Sequence, residues 1–345
     1  EIHERLVGSE MCIRDSVDTL DRQLDYHIVG VTHDKDGIPQ YKRSAFLRNS
    51  RDFGVPQNRP RVYIVAFSRA YFGQHISLLP EEAPTKRSRT PVFKSLADVL
   101  DKKVDSRFFL SSGYLDTLEK HIVTQHKKGY GFGYCIVNAP EIETPIANTL
   151  LATGGSGRER NLIYDPINGA SCAGTSIKGK YSPINDKFIR TMTPNEWGRL
   201  QGFVGYAFVD KNGIDQFSFP EGIRNVQRFK QFGNSVTIPV IEEYALFIQQ
   251  CCDTMYDAFS PIEKRLFSMY GNEFLLCSLI SRELAYHLRK DTLNRYFSIV
   301  YHYKLNCFRT KELARYLDVS AARASQIITQ LTQIGCVHQE SDGSY

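Results

Sequence analysis

With 345 residues, 42% of them hydrophobic and 12% aromatic, the chain has material for two or three domains with apolar cores, which argues against a disordered polypeptide. The net charge of +5 is compatible with a nucleic-acid partner and equally with an ordinary soluble enzyme. No apolar run reaches transmembrane length, none of the 8 cysteines lies in a C-x-x-C pair and no histidine stands at zinc-finger spacing, so a membrane protein and a metal site are not expected.

Residues 1–16 (EIHERLVGSEMCIRDS) match nothing downstream in character and are read as a non-native leader. Leu20–Leu24 finishes a helix, His27–Thr32 reads as a strand, and Asp34-Lys35-Asp36-Gly37 is a turn signal, with Tyr41–Leu47 returning as a second strand. The loop RDFGVPQNRPR (Arg51–Arg61) leads into Val62–Phe67 (VYIVAF), whose continuous apolar, β-branched character predicts a strand buried on both faces of an α/β sheet. Pro80–Pro91 reads as a linker. From Val92 to about Asn185 the chain is rich in Gly, Ser, Asn and Tyr, the composition of a small loop-rich domain presenting backbone and polar groups to a ligand. Within it GYGFGY (129–134) lacks a strand–turn–helix context and is read as a turn between strands, not a nucleotide loop. Thr193-Pro194-Asn195-Glu196 opens a helix with a capping box, and Gly202 ends it. After Gly233-Asn234-Ser235 a helix is predicted from about Ile238 to Cys251, with Val240, Ile241, Ala245 and Ile248 on its apolar face.

Beyond about Asp253 the chain turns helical. In RTKELARYLDVSAARASQIITQLTQIGCV (309–337), Thr310 caps one helix and Ser320 a second, whose apolar face is Ala324, Ile327, Ile328, Leu331 and Ile334. Gly335 ends the second helix and Val337 starts a β-wing. The pattern resembles a winged helix-turn-helix, with Arg323, Ser325, Gln326 and Gln330 as candidate DNA contacts; the competing reading is a helical hairpin used for packing or dimerisation.

Three segments carry a family resemblance, and they occur in the family's order. They are Gln57-x-Arg59-x-Arg61 ahead of an apolar strand, Arg190-x-Met192-Thr193-x-x-Glu196-x-x-Arg199-Leu200-Gln201-Gly202-Phe203, and Gly233-Asn234-Ser235-Val236. They resemble the eighth, ninth and tenth motifs of the DNA cytosine-5 methyltransferases. The resemblance spans roughly Val17 to Cys251. It implies an α/β chain: the last strands of a Rossmann-like methyltransferase sheet (17–80), an inserted loop-rich target-recognition domain (81–224), a return to the catalytic domain (225–255), and an all-α or winged-helix C-terminal module (256–345).

The family adds a cysteine thiolate to C6 of a flipped-out cytosine, so that C5 attacks the methyl group of S-adenosylmethionine. Charge that builds on the ring is stabilised by fixed cations. By resemblance Arg61 is the candidate cation, Arg59 buttresses the loop or the nucleotide's phosphate, and Gln57 fixes the loop. Without the resemblance, both arginines read as salt-bridging residues at a strand start. Asn234 and Ser235 are the candidate cofactor contacts near a helix N-terminus, although Ser235 taken singly reads equally as a plain N-cap. Arg190, Glu196 and Arg199 are expected to form an internal ion-pair network, and Trp197 to be core. In the recognition domain, Lys127, Lys128, Arg158 and Arg160 sit in Gly-rich loops as candidate phosphate or guanine contacts, each also readable as a solvated charge. Arg323 and Gln326 extend that set into the C-terminal module.

The family's glycine-rich cofactor loop, Pro-Cys nucleophile and Glu-Asn-Val acid have no counterpart in the sequence, and no cysteine follows a proline. The expectation is therefore a methyltransferase, plausibly of a restriction–modification system, truncated before its nucleophile and inactive by itself. The alternative is a non-catalytic DNA-binding protein or one half of a split enzyme. The expected cofactor is S-adenosylmethionine without a metal. The expected partners are double-stranded DNA and either the missing N-terminal half or a cognate restriction endonuclease. The expected location is the bacterial cytoplasm, at the nucleoid.

Overall fold

The Asp34–Gly37 turn organises the first hairpin. The Asp34 carboxylate accepts from the backbone N–H of Asp36 (3.0 Å) and Ile38 (2.8 Å), and Gly37 takes a φ of +73°. The turn pairs β2 (Thr32–His33) with β3 (Pro39–Gln40). Upstream, β1 (Tyr26–Ile28) pairs antiparallel with a strand formed by Ala66–Ser68. The computed structural model describes residues 12–129, 134–153, 158–261, 264, 292, 295–296, 299, 302–303, 307–333, 337–340 and 343–345.

The predicted second strand at Tyr41–Leu47 is instead a 3-10 turn (Arg43–Ala45) leading into β4 (Leu47–Asn49). The apolar run at Val62–Phe67 is not one strand buried on both faces. It is divided between β6 (Pro60–Val62), which follows β5 (Gln57–Asn58), and β7 (Ala66–Ser68). All three residues of β6 are exposed, Pro60 has no N–H to give a ladder, and β6 pairs only with β4. Among the described residues the strands pair two by two. Just one named pair is parallel, that of β5 with β8 (Ala147–Asn148). The last pair joins β9 (Leu162–Tyr164) to β10 (Ile189–Thr191).

The helices that matter for the site are α1 (Ser112–Lys127), α2 (Pro194–Gln201), α3 (Asn225–Asn234) and α4 (Ile238–Asp257). Helix α2 begins as its residues dictate. Thr193 Oγ1 accepts from the N–H of Glu196 (3.2 Å), the Glu196 carboxylate accepts from the N–H of Thr193 (2.7 Å), and Gly202 closes the helix in the left-handed region. Helix α4 runs further than expected and buries a different face. Val240, Tyr244, Phe247, Cys251 and Met255 are buried, whereas Ile241 and Ile248 are 40% and 39% exposed.

Two compact units result, one of residues 1–41, 64–82 and 249–345 and the other of residues 42–63 and 83–248. The second has a core of Leu96, Val99, Leu150, Ile163, Met192, Trp197, Leu200, Phe229 and Phe232, with Trp197 edge-on to Phe229 at 4.8 Å. The first has a core that gathers Phe259, Tyr296, Ile299 and Phe308 with α5 (Thr310–Tyr316) and α6 (Ala321–Gln333). No described helix is long and apolar enough to cross a membrane.

Candidate active site

Gln57 and Arg59 are the centre of a buried polar junction. Strand β5 lies beside β8, and Gln57, with no solvent exposure, donates its amide to the carbonyl of Leu200 at 2.9 Å. Arg59 is 4% exposed. Its guanidinium donates to three carbonyls: Leu150 (3.0 Å), Gly233 (3.0 Å) and Ser235 (2.8 Å). Burial without a carboxylate partner, together with the nearby charge of Arg61, pushes the Arg59 pKa down to about 10. With Nη1 and Nη2 committed to main-chain acceptors, Arg59 supports the chain.

The junction also recruits Gln201 of the ninth-motif segment and two residues outside the motifs, Ser50 and Thr237. Thr237 Oγ1 donates to Gln201 Oε1 (2.8 Å) and lies 2.9 Å from Ser50 Oγ, while the Gln201 amide donates to the carbonyl of Phe232 (3.0 Å). Gln201 and Thr237 are wholly buried and Ser50 is 1% exposed. For Ser50 and Thr237 the sequence signal was faint: short hydroxyl side chains next to the motif loops.

Arg61 contrasts with Arg59 two residues earlier. It is exposed, and its guanidinium donates only to the carbonyl of its neighbour Pro60 (2.7 Å), with no carboxylate in reach among the described residues. The salt bridges that the bare sequence suggested for the two arginines do not form. A fixed cation therefore stands at the surface beside a buried one.

The Gly233-Asn234-Ser235 segment lies at the C-terminal end of α3, not directly at the start of α4. Ser235 is the C-cap of α3, and its hydroxyl donates to the carbonyl of Phe232 (2.8 Å), so the N-cap reading fails. Asn234 is exposed, and its amide makes no hydrogen bond among the described residues. For a cofactor contact, the Asn234 amide fits, because both its donor and its acceptor are free. The Ser235 hydroxyl offers only a lone pair.

The ninth-motif residues build a separate buried network. Arg190, with no exposure, donates to Glu196 Oε2 (2.9 Å), to Glu196 Oε1 (2.8 Å) and to Asp165 Oδ2 (2.7 Å). Arg199 pairs with Asp101 at 2.6 Å. Burial alone would raise the Asp165 pKa, but the N–H of Asn168 and the Arg190 guanidinium outweigh it and hold the carboxyl below its ordinary value.

The candidate DNA contacts are dispersed. Lys127 is the last residue of α1 and Lys128 its C-cap. They are exposed at a helix end and not in a Gly-rich loop, because the helix started at Ser112 runs sixteen residues, past the point where sequence placed the loop. Residues 130–133 of the GYGFGY segment lie outside the described residues. Arg158 and Arg160 share a 3-10 turn (Arg158–Asn161). Arg158 packs over the Phe229 ring at 5.4 Å, and Arg160 is exposed. Arg158 also lines a cleft of about 630 Å³ with Arg107, Tyr114, Lys180 and Tyr181. Arg323 and Gln326 are exposed on α6, hydrogen-bonded to each other at 2.9 Å.

Residues 32–250 match the family model for the C-5 cytosine-specific DNA methylase. The chain belongs to that family. Over 210 residues it is 38% identical to the type II methyltransferase M.HpaII of Haemophilus parainfluenzae, covering 61% of this chain and 51% of that protein. Over 197 residues it is 32% identical to the type II methyltransferase M.SsoII of Shigella sonnei, covering 57% and 41%. The methylase chain thus spans about half the length of the curated relatives it matches. A solved methyltransferase of Entamoeba histolytica, EhMeth, aligns with a TM-score of 0.40 at 16% identity, over 71% of this chain and 58% of that one. At that score the likeness adds nothing to the assignment.

Proposed function

We propose that the chain is the DNA-facing portion of a cytosine-5 methyltransferase that methylates C5 of a flipped-out cytosine in a specific duplex sequence, as the modification arm of a restriction–modification system. The observation that supports it most is the Arg59 junction. One guanidinium holds the eighth-motif loop, the Leu150 segment and the tenth-motif segment together, leaving Arg61 and Asn234 exposed on either side of it.

In this reading Arg61 supplies the fixed positive charge for the anionic ring that forms when a nucleophile adds to C6. Arg59 and Gln57 are positioning residues that keep the loop rigid, so the charge needs no reorganisation during reaction. Asn234 orients the cofactor, whose chemistry is to offer an electrophilic methyl group. Lys127, Lys128, Arg158 and Arg160 are proposed contacts to the DNA backbone or base edges.

The covalent step needs a thiolate, and three of the described cysteines are held as thiols. Burial pushes Cys251 up to about 11 and raises Cys172 and Cys252 as well. Because no cysteine of the sequence follows a proline, the nucleophile is assigned to polypeptide other than this chain, whether an N-terminal half or a separate subunit, and the chain by itself is inactive. The test is transfer of a tritiated methyl group to unmethylated DNA by the chain alone and by the chain joined to a segment carrying a Pro-Cys loop. Activity only in the joined form supports the proposal, and activity of the chain alone overturns the assignment of the nucleophile. A DNA-binding protein without chemistry is the second reading, favoured by the same absence of a Pro-Cys pair.

A further inference from the structure

Residues beyond 250 lie outside the methylase match, and the methyl-transfer reading gives them no task. We infer that α5 and α6, with the C-terminal residues, form a winged-helix unit that holds duplex DNA through the exposed face of α6, at a site separate from the methylase segments.

The two helices and the turn between them lie within the described residues. Helices α5 and α6 are joined by a tight turn in which Asp318 adopts a φ of +51° and the N–H of Val319 returns to the carbonyl of Ala314 (3.0 Å). Ser320 Oγ accepts from the N–H of Arg323 (3.2 Å), capping α6, as expected. Helix α5 is capped differently from the expectation: its N-cap is Arg309, whose N–H donates to the Glu312 carboxylate at 2.8 Å, and Thr310 is the first helical residue. Leu313, Ala324, Ile327, Ile328 and Leu331 are buried between the helices. Ile334 and Gly335 lie outside the described residues.

The expected β-wing is not present as a strand among the described residues. Residues 337–340 are not a strand. The N–H of Glu340 donates to the carbonyl of Ser344 (2.8 Å), Gly343 has a φ of +80°, and Tyr345 exchanges two backbone hydrogen bonds of 2.9 Å with Phe308, just ahead of α5. This pairing ties the segment ahead of α5 to the end of the chain.

The exposed face of α6 selects the occupant. The helix is 13 residues long, about 20 Å at 1.5 Å per residue, and fits the major groove. It has no acidic side chain, and Arg323 is its sole charge. Arg309, Lys311 and Arg315 are exposed in and just before α5, and over residues 307–345 these three and Arg323 are matched in number by Glu312, Asp318, Glu340 and Asp342. A helix face that carries a guanidinium and no carboxylate complements phosphate. A hairpin used for packing would present exposed apolar side chains, and α6 has no large one. A single-strand site would present open aromatic rings. The exposed Tyr316 ring is instead stacked on His302 at 3.9 Å.

The inference does not depend on methyl transfer and is tested without it. The full chain is titrated with a fluorescein-labelled 24-bp duplex over a range of salt concentrations, as wild type, Arg323→Glu and Gln326→Lys. Because both side chains are exposed, each variant should melt at the wild-type temperature. The expected result for Arg323→Glu is roughly tenfold weaker binding, with the slope of log K against log salt reduced by about one, the loss of one phosphate contact. Gln326→Lys should bind more tightly and steepen the slope. Variants that bind the duplex with wild-type affinity and slope would overturn the inference, as would a preference of the same surface for single-stranded DNA.

Discussion

The Arg59 guanidinium and the Gly233 carbonyl, 174 residues apart in sequence, meet at 3.0 Å in a buried junction. The eighth and tenth motifs of the family are thereby one structural object. Buried carbonyls that lose their donor carry the full cost of desolvation, about 1–3 kcal/mol each. Arg59→Met should therefore destabilise the chain by about 3 kcal/mol or more, read as a lowered urea midpoint. Arg59→Lys, which has one ammonium in place of a planar fork, should recover only part of it. A neutral Arg59→Met would remove the junction as an organising element.

Arg61 should behave in the opposite way. Because it is exposed and bound only to Pro60, Arg61→Gln is expected to leave the urea midpoint within about 0.5 kcal/mol of wild type. In the complete enzyme the same change should lower kcat by about a hundredfold, the magnitude seen when one stabilising donor is removed from an anionic transition state. An unchanged kcat would remove Arg61 from the chemistry.

Gly233 tests the packing of the tenth motif. A Cβ there would sit 2.4 Å from the Leu151 oxygen and 2.7 Å from the Ala152 nitrogen, both backbone atoms that cannot swing away. Gly233→Ala should cost roughly 1–3 kcal/mol. It should also shift the amide resonance of Asn234, because the α3 terminus must move to make room.

The Arg190 network carries a larger risk. Arg190→Met leaves the carboxylates of Glu196 and Asp165 uncompensated in a site without solvent, and breaking a buried pair in this way costs about 3–5 kcal/mol. The expectation is a chain that is largely insoluble or molten at 37 °C, read by loss of near-ultraviolet dichroism.

Asp165 links that network to pH. Its folded pKa is depressed, so the stability it contributes is fully present above its unfolded value of about 3.9 and is lost as pH falls through the lower folded value. Urea midpoints measured from pH 6 down to pH 2 should fall along that limb, and Asp165→Asn should flatten it. An equally steep limb in Asp165→Asn would assign the acid sensitivity to other carboxylates.

How much of this was legible from residues depends on the range over which each feature is decided. The capping box of α2, the Asp34 turn and the buried face of α6 are settled within one or two turns of chain, by hydrogen bonds and periodicities that neighbouring residues carry themselves. Sequence therefore determined them, and the order of the three motifs determined the family. The division of the apolar run at Val62–Phe67, the inverted choice of face on α4, and the separate duties of Arg59 and Arg61 belong to the tertiary structure alone. An arginine has the same donors wherever it stands. Whether three main-chain carbonyls from distant segments or only its neighbour's carbonyl receives them is decided by the packing that brings Leu150, Gly233 and Ser235 around one guanidinium and leaves the other in water.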